Sequence, residues 1–448
     1  MKLLFISPVG VIGGAERILL ECVRQVRTLR PAWSVTVLMF ADGPLREAAT
    51  LLGANVEIVP LPSELAASGD SQLISAKSNP NVFRESNSTY GQSDSPSPLP
   101  ENGAKGEGME YAPKKRTLWH RRFFATKLSA MGFFWKLRKA IHRIRPDLIH
   151  SNGLKSHLCM VTVQPRDCPV LWHIHDYYSH RPKIHRIVRL ASRRATACIA
   201  ISSSVQDDIQ SVAPKLTTHL LENGVDTEYF VPGKGDSVEL DRQAGFLEPT
   251  SWLRVGLVAT YANWKGHDVF LQAVACLPHV RAYIVGGPIY TTAGSQWSEA
   301  ELRKKAFELG IVDRVGFISF QSDPCWIYRS LDIVVHASTR PEPFGLTIVE
   351  AMACGRPVVV AAAGGAKSLF TDGWDAIGHE PGNSDSLAKT IQQLADNVEL
   401  RRQIGERGRQ SAVDRFSTTR FGEKLIEIYE QVAVKAVGRN KRTSEPTK

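Results

Sequence analysis

Apolar positions in this chain fall into short runs separated by stretches of helical spacing. Leu3–Ile6 is one such run, followed by Pro8 and a glycine-bearing loop to Gly14. Beyond the loop, Ile18, Cys22, Val26 and Leu29 recur every three to four residues, the period of one helix face. Apolar runs return at Val35–Met39 and Val56–Val59, and the same rhythm resumes at Asp147–His150, Val170–His173 and Ala197–Ile201. Strands alternating with helices predict a parallel, doubly wound α/β sheet.

Two segments interrupt the rhythm. Residues 63–113 are rich in Ser, Asn, Gly and Pro and poor in large apolar residues. Such a stretch buries too little surface to offset its ordering entropy, so a disordered insertion is expected there. Residues 231–251, with Pro232, Gly233, Gly235 and Pro249, read as a linker. The alternation then restarts, with strands expected at Leu253–Ala259, Ala282–Val285, Val315–Ser319, Ile333–His336 and Pro357–Ala361. The expectation is two doubly wound domains, 1–230 and 252–413, facing each other across a cleft. A helix over 414–436 is expected to pack back across them, and 437–448 to form a disordered tail. Ligands of such sheets sit at the carboxyl ends of the strands.

Composition narrows the class. Of 448 residues 43% are apolar, enough for a sizeable core, and the net charge of +10 suits an anionic partner. The seven cysteines are scattered without a C-x-x-C, which reads as reduced thiols of a cytoplasmic protein. The apolar start at Leu3–Ile6 is too short for a signal peptide, and the absence of an 18-residue apolar run predicts no membrane span.

Three constellations carry candidate chemistry. Gly10-Val11-Ile12-Gly13-Gly14-Ala15-Glu16 follows the first strand, where glycines let backbone approach a ligand and a helix N-terminus favours phosphate. A tight turn explains the same residues equally well. Lys265-Gly266-His267-Asp268 stands between a strand and a helix, where a lysine can meet a diphosphate. A solvated lysine beside a turn glycine is the plain alternative. The third is the most specific: Arg340-Pro341-Glu342-Pro343-Phe344-Gly345-Leu346, continuing through Glu350 to Gly355-Arg356-Pro357. It places Glu342 in a loop and Glu350 about one turn into an otherwise apolar helix, where an unpaired charge is costly. Gly355 and Pro357 end that helix.

The third segment resembles the signature of the retaining glycosyltransferases of family 4, which have the GT-B fold of two Rossmann-like domains. The Gly13-Gly14-Ala15-Glu16 loop, Pro146–Gly153, His175-Asp176, Glu222–Asp226 and Lys265-Gly266 are similar to the same pattern, in the same order. The resemblance implies a nucleoside-diphosphate sugar as donor and transfer to an acceptor hydroxyl with retention. It implies Glu342 on the donor sugar, and the amides of Phe344, Gly345 and Leu346 on sugar and diphosphate. It further implies Glu350 on the ribose, Lys265 on the leaving diphosphate, Gly13 and Gly14 facing the donor, and His175 beside the reacting carbon. Two positions depart from the pattern: Ala259 and Thr260 stand where similar enzymes carry an arginine, with Thr260 or Asn263 as substitutes, and Ser319 stands where glycine is usual.

His173, His175, His180 and His185 invite a metal reading, but no cysteine or carboxylate joins them at ligand spacing, and no D-x-D occurs. No metal and no cofactor beyond the donor are expected. Between Lys114 and Arg145 stand eleven Lys and Arg and no acid, with Trp119, Phe123, Phe124, Phe133, Phe134 and Trp135 interleaved. Such a stretch suits an anionic membrane surface carrying a glycan or lipid-linked acceptor, on the inner face of the membrane. An ordinary helix with a solvated basic face is the alternative, and no nucleic-acid motif accompanies the charge. A weakly active or inactive interaction protein, or an epimerase or phosphorylase on the same fold, are the competing functional readings.

Overall fold

The computed structural model describes residues 1–63, 116–288 and 295–443, with side chains described from 128 and up to 434 in the two helices that border the gap and the C-terminus. Nearly all of the expected insertion, and residues 444–448 of the expected tail, lie outside the described residues.

Among the described residues, seven parallel strands form the first lobe: β1 (Lys2–Ser7), β2 (Ser34–Met39), β3 (Asn55–Ile58), β4 (Leu148–Asn152), β5 (Val170–Ile174), β6 (Ala197–Ala200) and β7 (Thr218–Leu220). Their order is β3-β2-β1-β4-β5-β6-β7. Leu3 of β1 lies opposite Val35 on one side and Leu148 on the other. The second lobe has β8 (Leu253–Val258), β9 (Val280–Val285), β10 (Val315–Ile318), β11 (Ile333–His336), β12 (Val358–Ala361) and β13 (Ile377–His379), in the order β10-β9-β8-β11-β12-β13. Central strands such as β5, β6, β11 and β12 are buried along their length, as strands covered by helices on both faces must be.

Two helices depart from the sequence expectation. Within the stretch read as linker, Ser237–Gln243 is a helix capped by Asp236. Its buried Asp241 pairs with Arg254 at 2.8 Å and Arg281 at 3.4 Å, tying that helix to the second lobe. At the C-terminus, the chain turns at Ser417, between helices Val398–Phe416 and Thr418–Thr443. The last helix therefore starts later than 414 and runs beyond 436. Its Phe421, Leu425, Ile428 and Tyr429 share a core cluster with Leu3, Phe5, Ile18 and Cys22 of the first lobe.

A second core cluster crosses between lobes, joining Val205 and Trp172 to Phe344, Ile348, Ala366 and Leu369. All seven cysteines are free, and only Cys276 is exposed. Among the described residues, no helix is long and apolar enough to cross a membrane.

Candidate active site

In each sheet the strand order reverses beside the lobe's first strand, between β1 and β4 and between β8 and β11. A crevice opens at the carboxyl ends of such strands. The sequence motifs sit there. The glycine loop follows β1, Asn152 closes β4 and His175 follows β5; Lys265 follows β8, and Ser338–Glu342 follow β11.

Lys265 and Glu342, 77 residues apart, meet directly. The Lys265 ammonium donates to both carboxylate oxygens, at 2.8 and 2.9 Å. The Ser338 hydroxyl donates to Glu342 Oε2 at 2.8 Å, and His336 Nε2 stands 3.6 Å from the same atom. Burial pushes the Glu342 carboxyl upward, but Lys265 and His336 outweigh it and hold the group well below the usual carboxylate range. Gly266 makes this approach possible. Its φ is +74°, and a Cβ there would lie 1.9 Å from the Ala337 carbonyl oxygen.

Glu350 has different neighbours from Glu342. It is buried in helix Leu346–Ala353, where the Tyr328 hydroxyl donates to its Oε2 at 2.7 Å. Arg17, from the helix behind the first-lobe glycine loop, reaches across to 3.8 Å from its Oε1. Burial raises its carboxyl, while Tyr328 and Arg17 oppose the rise. Gly345 adopts φ +112° as the residue that opens this helix, and Gly355 at φ +69° ends it.

In the glycine loop, Gly10 has a packing explanation: a Cβ there would lie 2.4 Å from the Asp42 carbonyl oxygen. Gly14 faces open space, and Gly13 donates its N–H to Glu16 at 3.2 Å. Thr260, one of the two residues in the expected arginine position, has a buried hydroxyl without a partner among the described residues.

His175 contacts Asn152 Oδ1 through Nε2 at 2.6 Å, and burial pulls it down to about 3, so the ring is neutral near pH 7. Its neighbour Asp176 is raised by burial, with Glu342 among the charges adding to the rise. Behind His175 lies a buried polar chain that spacing in the sequence does not reveal. The His173 and His175 rings stand 4.2 Å apart. His173 Nδ1 and His150 Nε2 are 3.1 Å apart, and His150 Nδ1 meets the Tyr429 hydroxyl at 2.7 Å. Cys22, His150 and His173 offer atoms within 4.8 Å of one another, and all three are buried. His180 instead packs edge-on against Tyr177.

Residues 246–411 match the family described as glycosyl transferases group 1, and residues 95–229 match glycosyltransferase family 4. Among curated relatives, a D-inositol 3-phosphate glycosyltransferase from Mycolicibacterium smegmatis is 40% identical over 179 residues, 39% of this chain and 38% of the relative. The match thus spans well under half the length of that relative. The lipopolysaccharide core biosynthesis glycosyltransferase LpsE of Rhizobium meliloti is 27% identical over 241 residues, 54% of this chain and 66% of its own. Among solved structures, Anabaena HepE in complex with UDP-glucose superposes with a TM-score of 0.72 at 26% identity, covering 96% of this chain and all of that one. The two matched regions cover most of the chain, and the two-lobed architecture is shared along its length: the chain belongs to the group 1, family 4 glycosyltransferases and has the GT-B fold.

Proposed function

We propose that the chain transfers a glycosyl group from a nucleoside-diphosphate sugar to an acceptor hydroxyl, with retention at the anomeric carbon. The observation that carries this reading is the Lys265–Glu342 pair at the second-lobe switch point, in a loop whose backbone Tyr177, two residues beyond His175 of the first lobe, contacts at the Glu342 carbonyl. Departure of the diphosphate develops negative charge. The Lys265 ammonium and the Phe344, Gly345 and Leu346 amides, at the start of a helix, are a cation and dipoles suited to receive it. Glu342 takes sugar hydroxyls once Lys265 turns to the phosphates, Glu350 takes the ribose, and Gly13 and Gly14 leave room for the donor. His175 is a neutral hydrogen-bonding group beside the reacting carbon.

Anabaena HepE is described with UDP and glucose, which makes a UDP-hexose the first donor to test. Relatives named for an inositol phosphate and for lipopolysaccharide core support a glycan or lipid-linked acceptor. In helix Arg116–Ile144, Phe133, Leu137 and Ile141 face the core, while Leu128, Met131 and Trp135 are exposed beside the basic residues. That outer face suits peripheral contact with an anionic membrane from the cytoplasmic side. Flotation with anionic liposomes at low salt tests it, and unbound protein refutes it.

Purified chain incubated with a donor panel and acceptors should release UDP and form an α-linked product from an α-linked donor. Glu342→Gln should lose turnover while binding UDP; full turnover by this variant with a verified donor overturns the assignment. A catalytically weak binding protein is the second reading, favoured by Ala259 and Thr260 in place of a cation. Donor binding by wild type without turnover would select it.

A further inference from the structure

The first lobe grips the Glu342 loop by its backbone. Tyr177, two residues beyond His175, donates its hydroxyl hydrogen to the Glu342 carbonyl at 3.0 Å and accepts from the Gly365 N–H at 3.1 Å. Ser202, two residues beyond β6, donates to the Pro343 carbonyl at 2.7 Å. The Ser204 hydroxyl joins the two, 2.8 Å from Tyr177 Oη and 3.1 Å from Ser202 Oγ. Three hydroxyl hydrogens serve these contacts, Tyr177 to Glu342, Ser202 to Pro343 and Ser204 to Tyr177, which leaves Ser204 and Ser202 adjacent with no hydrogen between them.

The seam closes only on bare backbone. A Cβ on Gly364 would lie 2.5 Å from Tyr177 Oη, and one on Gly365 would lie 2.0 Å from the Pro343 carbonyl oxygen and 2.8 Å from Ser202 Oγ. The grip also has a geometric consequence. The Pro343 carbonyl and the Phe344 N–H belong to one planar trans peptide and point in opposite directions. While Ser202 holds the carbonyl, the Phe344 N–H is turned away from the seam. Among the described residues neither the Phe344 nor the Gly345 N–H meets an acceptor. Residue 343 is proline and has no N–H, so the peptide before it can be held only through the Glu342 carbonyl, which accepts from both the Gly365 N–H at 2.6 Å and the Tyr177 hydroxyl at 3.0 Å.

We propose that Ser202 and Tyr177 are positioning residues for donor use: Ser202 orients the Phe344 amide toward the diphosphate, and Tyr177 orients Glu342 toward the sugar. This assignment rests on the transfer reading above. It means that the first lobe helps to set the working shape of the second lobe's donor loop.

The test uses the full chain, UDP titrated by calorimetry, and initial rates with a verified donor. Ser202 also caps helix Ser203–Val212, accepting the Val205 N–H at 3.3 Å. Ser202→Gly removes the hydroxyl, and glycine is nearly as good a cap. Ser202→Thr keeps both roles. We expect S202T to stay within about twofold of wild type and S202G to weaken UDP binding about tenfold, the loss of one oriented hydrogen bond. Tyr177→Phe should leave UDP affinity within about twofold and lower kcat about tenfold or more, since only the sugar-side group is misplaced. S202G indistinguishable from S202T in UDP affinity, or Y177F with wild-type kcat, overturns the respective half. A wild-type chain that binds UDP but transfers nothing sinks the transfer reading while the Ser202 comparison still decides its own half. A chain that binds no nucleoside diphosphate overturns both.

Discussion

Lys265→Met removes the ammonium that contacts both Glu342 oxygens. The two side chains are 22% and 16% exposed, so water screens neither fully. What remains around the carboxylate is the Ser338 hydroxyl at 2.8 Å and the His336 ring at 3.6 Å. Breaking a buried pair by removing one partner leaves an uncompensated charge and costs about 3 kcal/mol. For a lobe of this size each kcal/mol shifts melting by roughly 2–4 °C, so the second-lobe transition should fall by roughly 6–12 °C near neutral pH. Glu342→Gln added to Lys265→Met removes the stranded charge and should recover most of the loss. The pH dependence has a definite sign. The folded Glu342 carboxyl lies below its ordinary 4.5, so the pair's contribution is complete above that value and disappears as pH falls toward the folded pKa. The gap between wild type and Lys265→Met should therefore narrow in acid. Differential scanning calorimetry across that range measures it. A neutral-pH melting temperature within about 2 °C of wild type, or a gap that widens in acid, refutes the account.

Burial lowers His150 and His175 to about 3, so both stay neutral in the fold where the unfolded chain would bind protons. First-lobe stability should be level above about pH 6.5 and fall below it by up to about 1.4 kcal/mol per pH unit for each histidine, measured by urea melts; a flat acid profile contradicts this. Gly266→Ala places a Cβ 1.9 Å from the Ala337 oxygen in a left-handed backbone conformation. It should lower the melting temperature and displace Lys265, weakening UDP binding about tenfold; unchanged UDP affinity would show that Lys265 does not meet the phosphates. Glu350→Ala should weaken UDP about tenfold and abolish discrimination between UDP and its 2′,3′-dideoxy analogue, by competition titration; retained discrimination places the ribose elsewhere.

Much of this molecule was written in local order along the chain. Short apolar runs between helical patterns located eleven of the thirteen strands among the described residues, because a strand buried on both faces must be apolar along its length. The edge strands β7 and β13, three residues each, carry too little pattern to register. The helix at Ser237–Gln243 was hidden by the glycines and prolines around it. Local order also marked Glu342, Glu350 and Lys265, because glycine turns and a charge in an apolar helix are visible without a fold, whereas His175 was marked through the family resemblance.

Strand order, and therefore which motifs share a crevice, was not legible. The two reversals beside β1 and β8 follow from how helices cover each sheet. The partners of the marked residues were equally invisible. Tyr177 holds Glu342 from 165 residues away, and Tyr429 holds His150 from 279. A turn or a helix is decided by neighbours a few bonds apart. A hydrogen bond between lobes depends on two surfaces meeting, and nothing in the spacing of either segment names the other.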